Sequence, residues 1–83
     1  MSYQIEVREK LVGRAAQLLG KQPEEITDEM ALEADLGLKS TQITQITTYL
    51  EDEFDAEIPF MNFRRQKTIG GCVDFVVDIL ENE

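Results

Sequence analysis

The feature that most constrains the fold is an apolar repeat in the middle of this 83-residue chain. The repeating side chains, three or four residues apart, are Ile43, Ile46, Leu50 and Phe54. Because an α-helix makes one turn in about 3.6 residues, this spacing puts all of them on one face. The sequence therefore predicts an amphipathic helix from about Ser40 to Phe54, with Ser40 at or beside its first residue.

Helical periods also occur near both ends of the chain. The apolar residues of the first stretch, from Tyr3 to Leu19, are Ile5, Leu11, Val12, Ala15, Ala16, Leu18 and Leu19. Gly20 fits the end of this helix, and Glu6 and Lys10 are spaced to form an ion pair along it. The last stretch follows Thr68, which fits an N-cap, and its apolar residues are Ile69, Cys72, Val73, Val76, Ile79 and Leu80.

Two connections join these helices. The first runs from Pro23 to Lys39, and its spaced apolar residues are Ile26, Met30, Leu32, Leu36 and Leu38. We expect them to pin an ordered loop, with one short helical turn, across the helices. After Pro59, a short helix is expected to place Phe60, Met61 and Phe63 over the core. The sequence thus predicts an all-α fold, a single domain over residues 1–83 that is a four-helix bundle of three longer helices and one short helix.

The charge balance narrows the class of partner. With 17 acidic and 8 basic residues the net charge is −9, which argues against nucleic acid, because phosphate binding needs a basic surface. An anionic membrane is disfavoured for the same reason, and no stretch is apolar for long enough to span a bilayer. We therefore expect a soluble cytoplasmic monomer whose partners are proteins with basic surfaces.

Catalytic and metal chemistry find little support in the composition. The chain has no histidine and one cysteine, Cys72, so it lacks the commonest general base and a thiol pair for a soft metal. We expect neither an enzyme nor a metal site, and we interpret Cys72 as a small buried hydrophobe. Ser40 offers different chemistry, because the unpaired N–H groups of a helix start favour an anion there. A phosphodiester fits, although serine at such a position is also a common N-cap.

Several motifs in a fixed order resemble those of the acyl carrier protein family. They are Leu36-Gly37-Leu38 before Ser40, the acidic run from Leu50 to Ile58-Pro59, and Thr68-Ile69-Gly70-Gly71 at the start of the last helix. The similarity extends from about Met30 to Glu81. It implies the family's four-helix bundle and a 4′-phosphopantetheine arm on Ser40, added by a phosphopantetheinyl transferase.

The resemblance also implies a function. The arm's thiol would hold an acyl chain as a thioester, sheltered between helices. The carrier, itself no catalyst, would present it to acyl-synthesis or acyl-transfer enzymes of fatty-acid, polyketide or specialised lipid synthesis. Two residues depart from the family pattern, since Lys39 stands where aspartate is usual and Thr41 where leucine is usual. These departures leave open an alternative, an unmodified carrier-fold module that binds a protein partner.

The exposed face of the central helix is the expected partner surface. Its residues are Lys39, Thr41, Thr44, Gln45, Thr48, Glu51 and Asp52. Lys39 is the only charge between Leu36 and Leu50, so docking there is expected to rely on local hydrogen bonds more than on long-range steering. Lys39 either pairs with the arm's phosphate or is a solvated lysine. Three later cations either contact a partner or the phosphate, or pair with nearby acids; they are Arg64, Arg65 and Lys67.

Overall fold

The computed structural model describes residues 3–82, and these residues form helices without a β-strand. The long helices are α1 (Tyr3–Leu19), α2 (Ser40–Phe54) and α4 (Ile69–Glu81), and the short one is α3 (Phe60–Arg65). A 3₁₀ turn at Pro23–Glu25 lies in the first connection. α1 packs against α2 and α4, while α3 packs against both α2 and α4. The predicted all-α bundle of three longer helices and one short helix is confirmed.

The buried face of α1 agrees with the predicted one except near the start of the helix. Its buried residues are Val7, Leu11, Val12, Ala15 and Ala16. Ile5 is 68% exposed, so the prediction that it belongs to this face is wrong. Rotation around the helix does not explain this, because seven residues return to within about 20° of the same direction and put Ile5 in line with the buried Val12. Ile5 lies in the first turn of α1, before the first buried residue. Leu18 and Leu19 are half-buried against the core.

Lys10 makes its ion pair across helices rather than along α1. Its Nζ lies 2.6 Å from Oε1 of Glu53 on α2, so the predicted partner, Glu6, is not the one it contacts. The hydrogen bond with Glu53 raises the pKa of Lys10 above its ordinary value. The pair joins the surfaces of α1 and α2.

Gly20 ends α1 as predicted. It adopts φ 67°, and the Lys21 N–H donates to the Ala16 carbonyl at 2.9 Å. This left-handed turn with a bond back across six residues is the Schellman arrangement, which satisfies the last carbonyls of a helix. Glycine suits the position because a side chain would oppose that backbone conformation.

The connection before α2 is ordered by buried anchors, as predicted. Four of its apolar residues are buried and Met30 is half-buried; the four are Ile26, Leu32, Leu36 and Leu38. Backbone hydrogen bonds also attach it to the segment before α4. The Leu32 N–H donates to the Lys67 carbonyl at 2.7 Å, and Ala31 and Thr68 form an isolated β-bridge. No sequence pattern predicted this bridge, because it joins residues far apart in the chain.

α3 places one of its apolar residues fully in the core. Phe63 is fully buried and Phe60 is half-buried, as expected of residues that cover the core. Met61 is 58% exposed, so the prediction for it is wrong. The residue lies about 200° around the helix from its buried neighbour, Phe63.

α4 follows the prediction closely. Thr68 is its N-cap, since the Thr68 Oγ1 accepts the Gly71 N–H at 3.1 Å. The predicted inward residues are buried except for Ile79, which is half-buried. Across residues 3–82, each helix is too short or too polar to cross a membrane.

Candidate functional site

The cap of α2 lies one residue earlier than a serine cap would require. Ser40 is the first helical residue, and the N-cap is Lys39, with φ −91° and ψ 163°. The Lys39 N–H donates to the side-chain oxygen of Gln42 at 2.9 Å, which is one half of a capping box. The interpretation of Ser40 as the N-cap is therefore wrong, and its hydroxyl is not used for capping.

Ser40 presents an unbonded hydroxyl to solvent. The residue is exposed, and its Oγ makes no hydrogen bond with any residue from 3 to 82. The N–H groups of Ser40, Thr41 and Gln42 also find no acceptor in this part of the chain, as is usual in a first turn. The site thus combines a hydroxyl with three open donors and the positive end of a helix dipole.

The loop before Ser40 is fixed by burial on both sides of a glycine. Leu36 and Leu38 are buried, and the Leu38 N–H donates to the Leu32 carbonyl at 3.0 Å. Between them Gly37 adopts φ 70°, a conformation that costs a residue with a side chain roughly 1–2 kcal/mol. These contacts hold the start of α2 in place, with Ser40 two residues beyond the last anchor.

The exposed face of α2 is nearly neutral close to Ser40. Its exposed residues include six predicted for partner binding, namely Lys39, Thr41, Thr44, Gln45, Thr48 and Asp52. Lys39 forms no ion pair within residues 3–82. The Thr44 hydroxyl donates to the Ser40 carbonyl at 3.0 Å, so its hydrogen atom is used within the helix.

Glu51 departs from the expected exposed face, and Thr47 is a polar residue of α2 that no prediction covered. The Glu51 carboxylate accepts the Ile58 N–H at 2.8 Å, and the side chain is only half-exposed. The Glu51 side chain is therefore bonded to the backbone of the loop after α2 and is not fully available to a partner. Thr47 is buried, and its hydroxyl donates to the Thr44 carbonyl at 2.9 Å; its polar character concealed an inward position.

Arg14 borders this face and was missed by the sequence analysis. Together with residues of α2 it lines an open groove of about 320 Å³; the α2 residues are Thr44, Gln45, Thr48, Tyr49 and Asp52. The guanidinium lies 5.7 Å from the centre of the Tyr49 ring, and Nη1 donates to Gln17 at 2.8 Å. Only the packing of α1 on α2 brings Arg14 here, so no local pattern could have found it.

A comparison with known protein families identifies the family of this chain. A family model described as the phosphopantetheine attachment site matches residues 9–76. That range contains Ser40, all of α2 and α3, and most of α1 and α4. The chain belongs to the acyl carrier protein family. The resemblance seen in the motifs around α2 is thereby confirmed and extended back into α1.

A solved relative has the same architecture as this carrier. The structure of the acyl carrier protein from Enterococcus faecalis matches it with a TM-score of 0.77 and 26% sequence identity. The match covers 95% of this chain and 99% of that chain. The two proteins therefore share the fold over almost their whole lengths.

Cys72 of this carrier lies in the hydrophobic core, which confirms its interpretation as a small buried hydrophobe. The residue is fully buried, and its Sγ lies 3.4 Å from the Phe63 carbonyl oxygen. Burial raises the pKa of the thiol to about 12, so the reactive thiolate is scarce near neutral pH. Among residues 3–82, no group of cysteine or acidic side chains is arranged to hold a metal ion.

The three cations at the end of α3 and just after it have different surroundings. Arg64 donates from Nε and Nη2 to the two carboxylate oxygens of Glu33, at 2.8 and 3.2 Å. This bidentate hydrogen bonding lowers the pKa of Glu33 and raises that of Arg64. Arg65 and Lys67 make no side-chain ion pair within the described residues. Pairing with nearby acids therefore accounts for Arg64 alone.

Proposed function

We propose that Ser40 bears a 4′-phosphopantetheine arm through a phosphodiester bond. The observation that supports this most is the exposed hydroxyl of Ser40, which no residue from 3 to 82 engages, on the first turn of α2. Beside it lie three N–H groups without an acceptor in the described chain. The residues present fit the group, because a helix start of this kind stabilises a phosphate.

The chain's own contribution would be placement and charge. When bound, the arm supplies a thiol that holds an acyl group as a thioester. The open N–H groups of the first turn stabilise the phosphodiester, and the Lys39 ammonium adds a point charge beside it. The chain acts as a carrier rather than a catalyst, and tethering raises the concentration of the acyl group at an enzyme to which the carrier docks. Enzymes of fatty-acid, polyketide or specialised lipid synthesis are the partner class.

The docking surface in this proposal is the exposed face of α2. The nearest part offers hydroxyls, one amide and Lys39, whereas Asp52, twelve residues after Ser40, lies about 18 Å along the helix. A partner enzyme would therefore meet a nearly neutral surface near its active site, with Lys39 as the charged residue. Its binding is expected to depend weakly on salt; a steep dependence that disappears in α2 variants would contradict this.

The decisive experiment is intact mass spectrometry after co-expression with candidate phosphopantetheinyl transferases. We expect the wild-type chain to gain the mass of one arm and Ser40→Ala to gain none. Thr41→Ala is the matched control, because it removes the neighbouring exposed hydroxyl and should still be modified. If no transferase modifies the wild-type chain, the carrier function fails, and the unmodified protein-binding module becomes the better account.

A further inference from the structure

A groove separate from the α2 face lies between the first connection and α3. It measures about 260 Å³ and is lined by Ala31, Leu32, Glu33, Ala34, Arg64 and Lys67. We call it the loop–α3 groove. Its apolar lining comes from two alanines and the buried Leu32, and its polar lining from three charged side chains. Such a space accepts a small group that is part hydrocarbon and part polar.

The loop–α3 groove has one uncompensated charge, and it is positive. Glu33 and Arg64 neutralise each other through their bidentate hydrogen bonds. Lys67 is exposed and makes no side-chain hydrogen bond or ion pair within residues 3–82. The groove therefore favours an anion, whereas most of the protein surface repels one.

The backbone of Lys67 is held in place where α3 ends. Its φ of 72° lies in the left-handed region, which glycine or asparagine adopts more readily than lysine does. Its carbonyl is held there by the Leu32 N–H at 2.7 Å. Lys67 directly follows Gln66, the C-cap of α3, and a left-handed residue is a common way for a helix to end.

The groove also lies close to Ser40. The Leu38 N–H is 3.0 Å from the Leu32 carbonyl oxygen, and the two residues from Leu38 to Ser40 span at most about 7 Å. The Leu32 carbonyl is thus within about 10 Å of the Ser40 backbone. An extended phosphopantetheine arm is longer than this separation, so a group at its end can reach the groove when the arm bends back.

We propose that the loop–α3 groove receives the free carboxylate of a short dicarboxylic acyl group carried on the arm, with Lys67 as its ion-pair partner. This inference rests on the proposed attachment at Ser40. The helical core is a poor site for such a group, because Ile46, Leu50 and Val76 are fully buried and apolar. An ionised carboxylate among them would lose its hydration without a compensating partner.

The test compares two acyl groups of equal chain length on the modified carrier. One sample carries a succinyl group and the other a butyryl group, and intact mass confirms that each is loaded. We expect the succinyl form to shift the methyl resonances of Ala31 and Ala34 and the side-chain resonances of Lys67, relative to the butyryl form. High salt should reduce these shifts, because it screens the ion pair.

Three variants connect the shifts to one side chain. Lys67→Gln keeps most of the length of the side chain without its charge and should abolish the difference between the two forms. Lys67→Arg should retain it. Arg65→Gln is the matched control, because it removes a nearby exposed charge that does not line the groove, and it should leave the difference unchanged.

The outcomes separate this inference from the carrier function. If both forms are loaded but give the same Ala31 and Ala34 resonances, the groove assignment is overturned while attachment at Ser40 stands. Shifts that survive Lys67→Gln overturn it as well. Free succinate at the protein's concentration should have no effect, because it lacks the tether; equal shifts would overturn the tethered assignment. If no arm is ever attached, both proposals fail.

Discussion

α2 and α4 each carry a nucleophilic side chain in the first turn, and the two side chains differ in their exposure to solvent. Ser40 is exposed and unbonded within the described chain, whereas Cys72 is fully buried against the Phe63 carbonyl. The caps differ too. Thr68 supplies a side-chain oxygen to α4, but the cap of α2, Lys39, supplies none.

The difference shows what separates a structural helix start from one that is open to a ligand. A buried N–H without an acceptor costs about 1–3 kcal/mol, so a helix that begins inside the fold needs acceptors for the donors of its first turn. α4 finds them in the Met30 and Asp28 carbonyls and in the Thr68 hydroxyl. At the surface, water fills that role at little cost. The first turn of α2 can therefore leave its donors unpaired, and those donors remain available to an anion.

The largest effect expected from this comparison is a pH dependence that originates at Cys72. Burial raises the pKa of the folded thiol to about 12 from an ordinary value near 9. Above about pH 9 the unfolded thiol releases its proton and the folded one does not, so the unfolded state is favoured as the pH rises. We expect the free energy of unfolding to lose roughly 2–3 kcal/mol from this group between pH 9 and pH 11.

Urea unfolding followed by circular dichroism from pH 7 to pH 11 measures this loss. Other titrating groups also contribute, so the informative quantity is the difference in pH dependence between the wild-type protein and Cys72→Ala. The variant should keep the pH dependence that comes from the other groups and lack the part that comes from Cys72. Equal pH dependence in both proteins would mean that the thiol is accessible to solvent. The contrast between a buried Cys72 and an exposed Ser40 would then be lost.

The bundle was predictable because its helices carry their own local signals. The bounds of α2 followed from an apolar repeat that starts just after Ser40, and the start of α4 followed from Thr68 as a cap. Ile5 and Met61 were misplaced because an apolar side chain fits a helical period whether or not it faces inward. Their exposure depends on how the helix meets its neighbours, along its length for Ile5 and around its axis for Met61, and tertiary packing fixes both.

The site was predictable in its chemistry and less so in its surroundings. Ser40 and the neutral face of α2 are close together in sequence, so helical geometry alone placed them together. Arg14 reaches that face only through the packing of α1, and Lys67 reaches the loop–α3 groove only through the bridge between Ala31 and Thr68. Contacts of this kind join distant segments and leave no local pattern.

A smaller effect is expected from removing the cap of α4. In Thr68→Ala the Gly71 N–H loses its acceptor at 3.1 Å, and the protein should lose about 1 kcal/mol of stability. The matched control in the other helix is Thr41→Ala, because Thr41 is exposed and caps nothing within the described residues. That variant should stay within about 0.5 kcal/mol of wild type in urea unfolding. Equal losses in the two variants would show that both first turns depend on their threonines.

The smallest expected change has the opposite sign. Lys39→Asp gives α2 the side-chain acceptor that α4 already has, and it places a negative charge at the positive end of the helix dipole. We expect the variant to be more stable than the wild-type protein by about 0.5–1 kcal/mol in urea unfolding. An unchanged or lower stability would mean that the donors of the first turn are not open, which would remove the distinction between the two helix starts.

The same variant should also change the rate at which the arm is attached. The introduced carboxylate would repel the phosphate that we propose Lys39 attracts, so a transferase that reads the lysine should lose rate and one that reads an acid should gain it. The expected change is about two- to five-fold, because a single exposed charge at a helix start contributes little more. Initial rates from intact mass, with each candidate transferase, measure it. A gain in stability with no change in any rate would leave Lys39 without a role in recognition, and its lack of a capping oxygen would have no functional explanation.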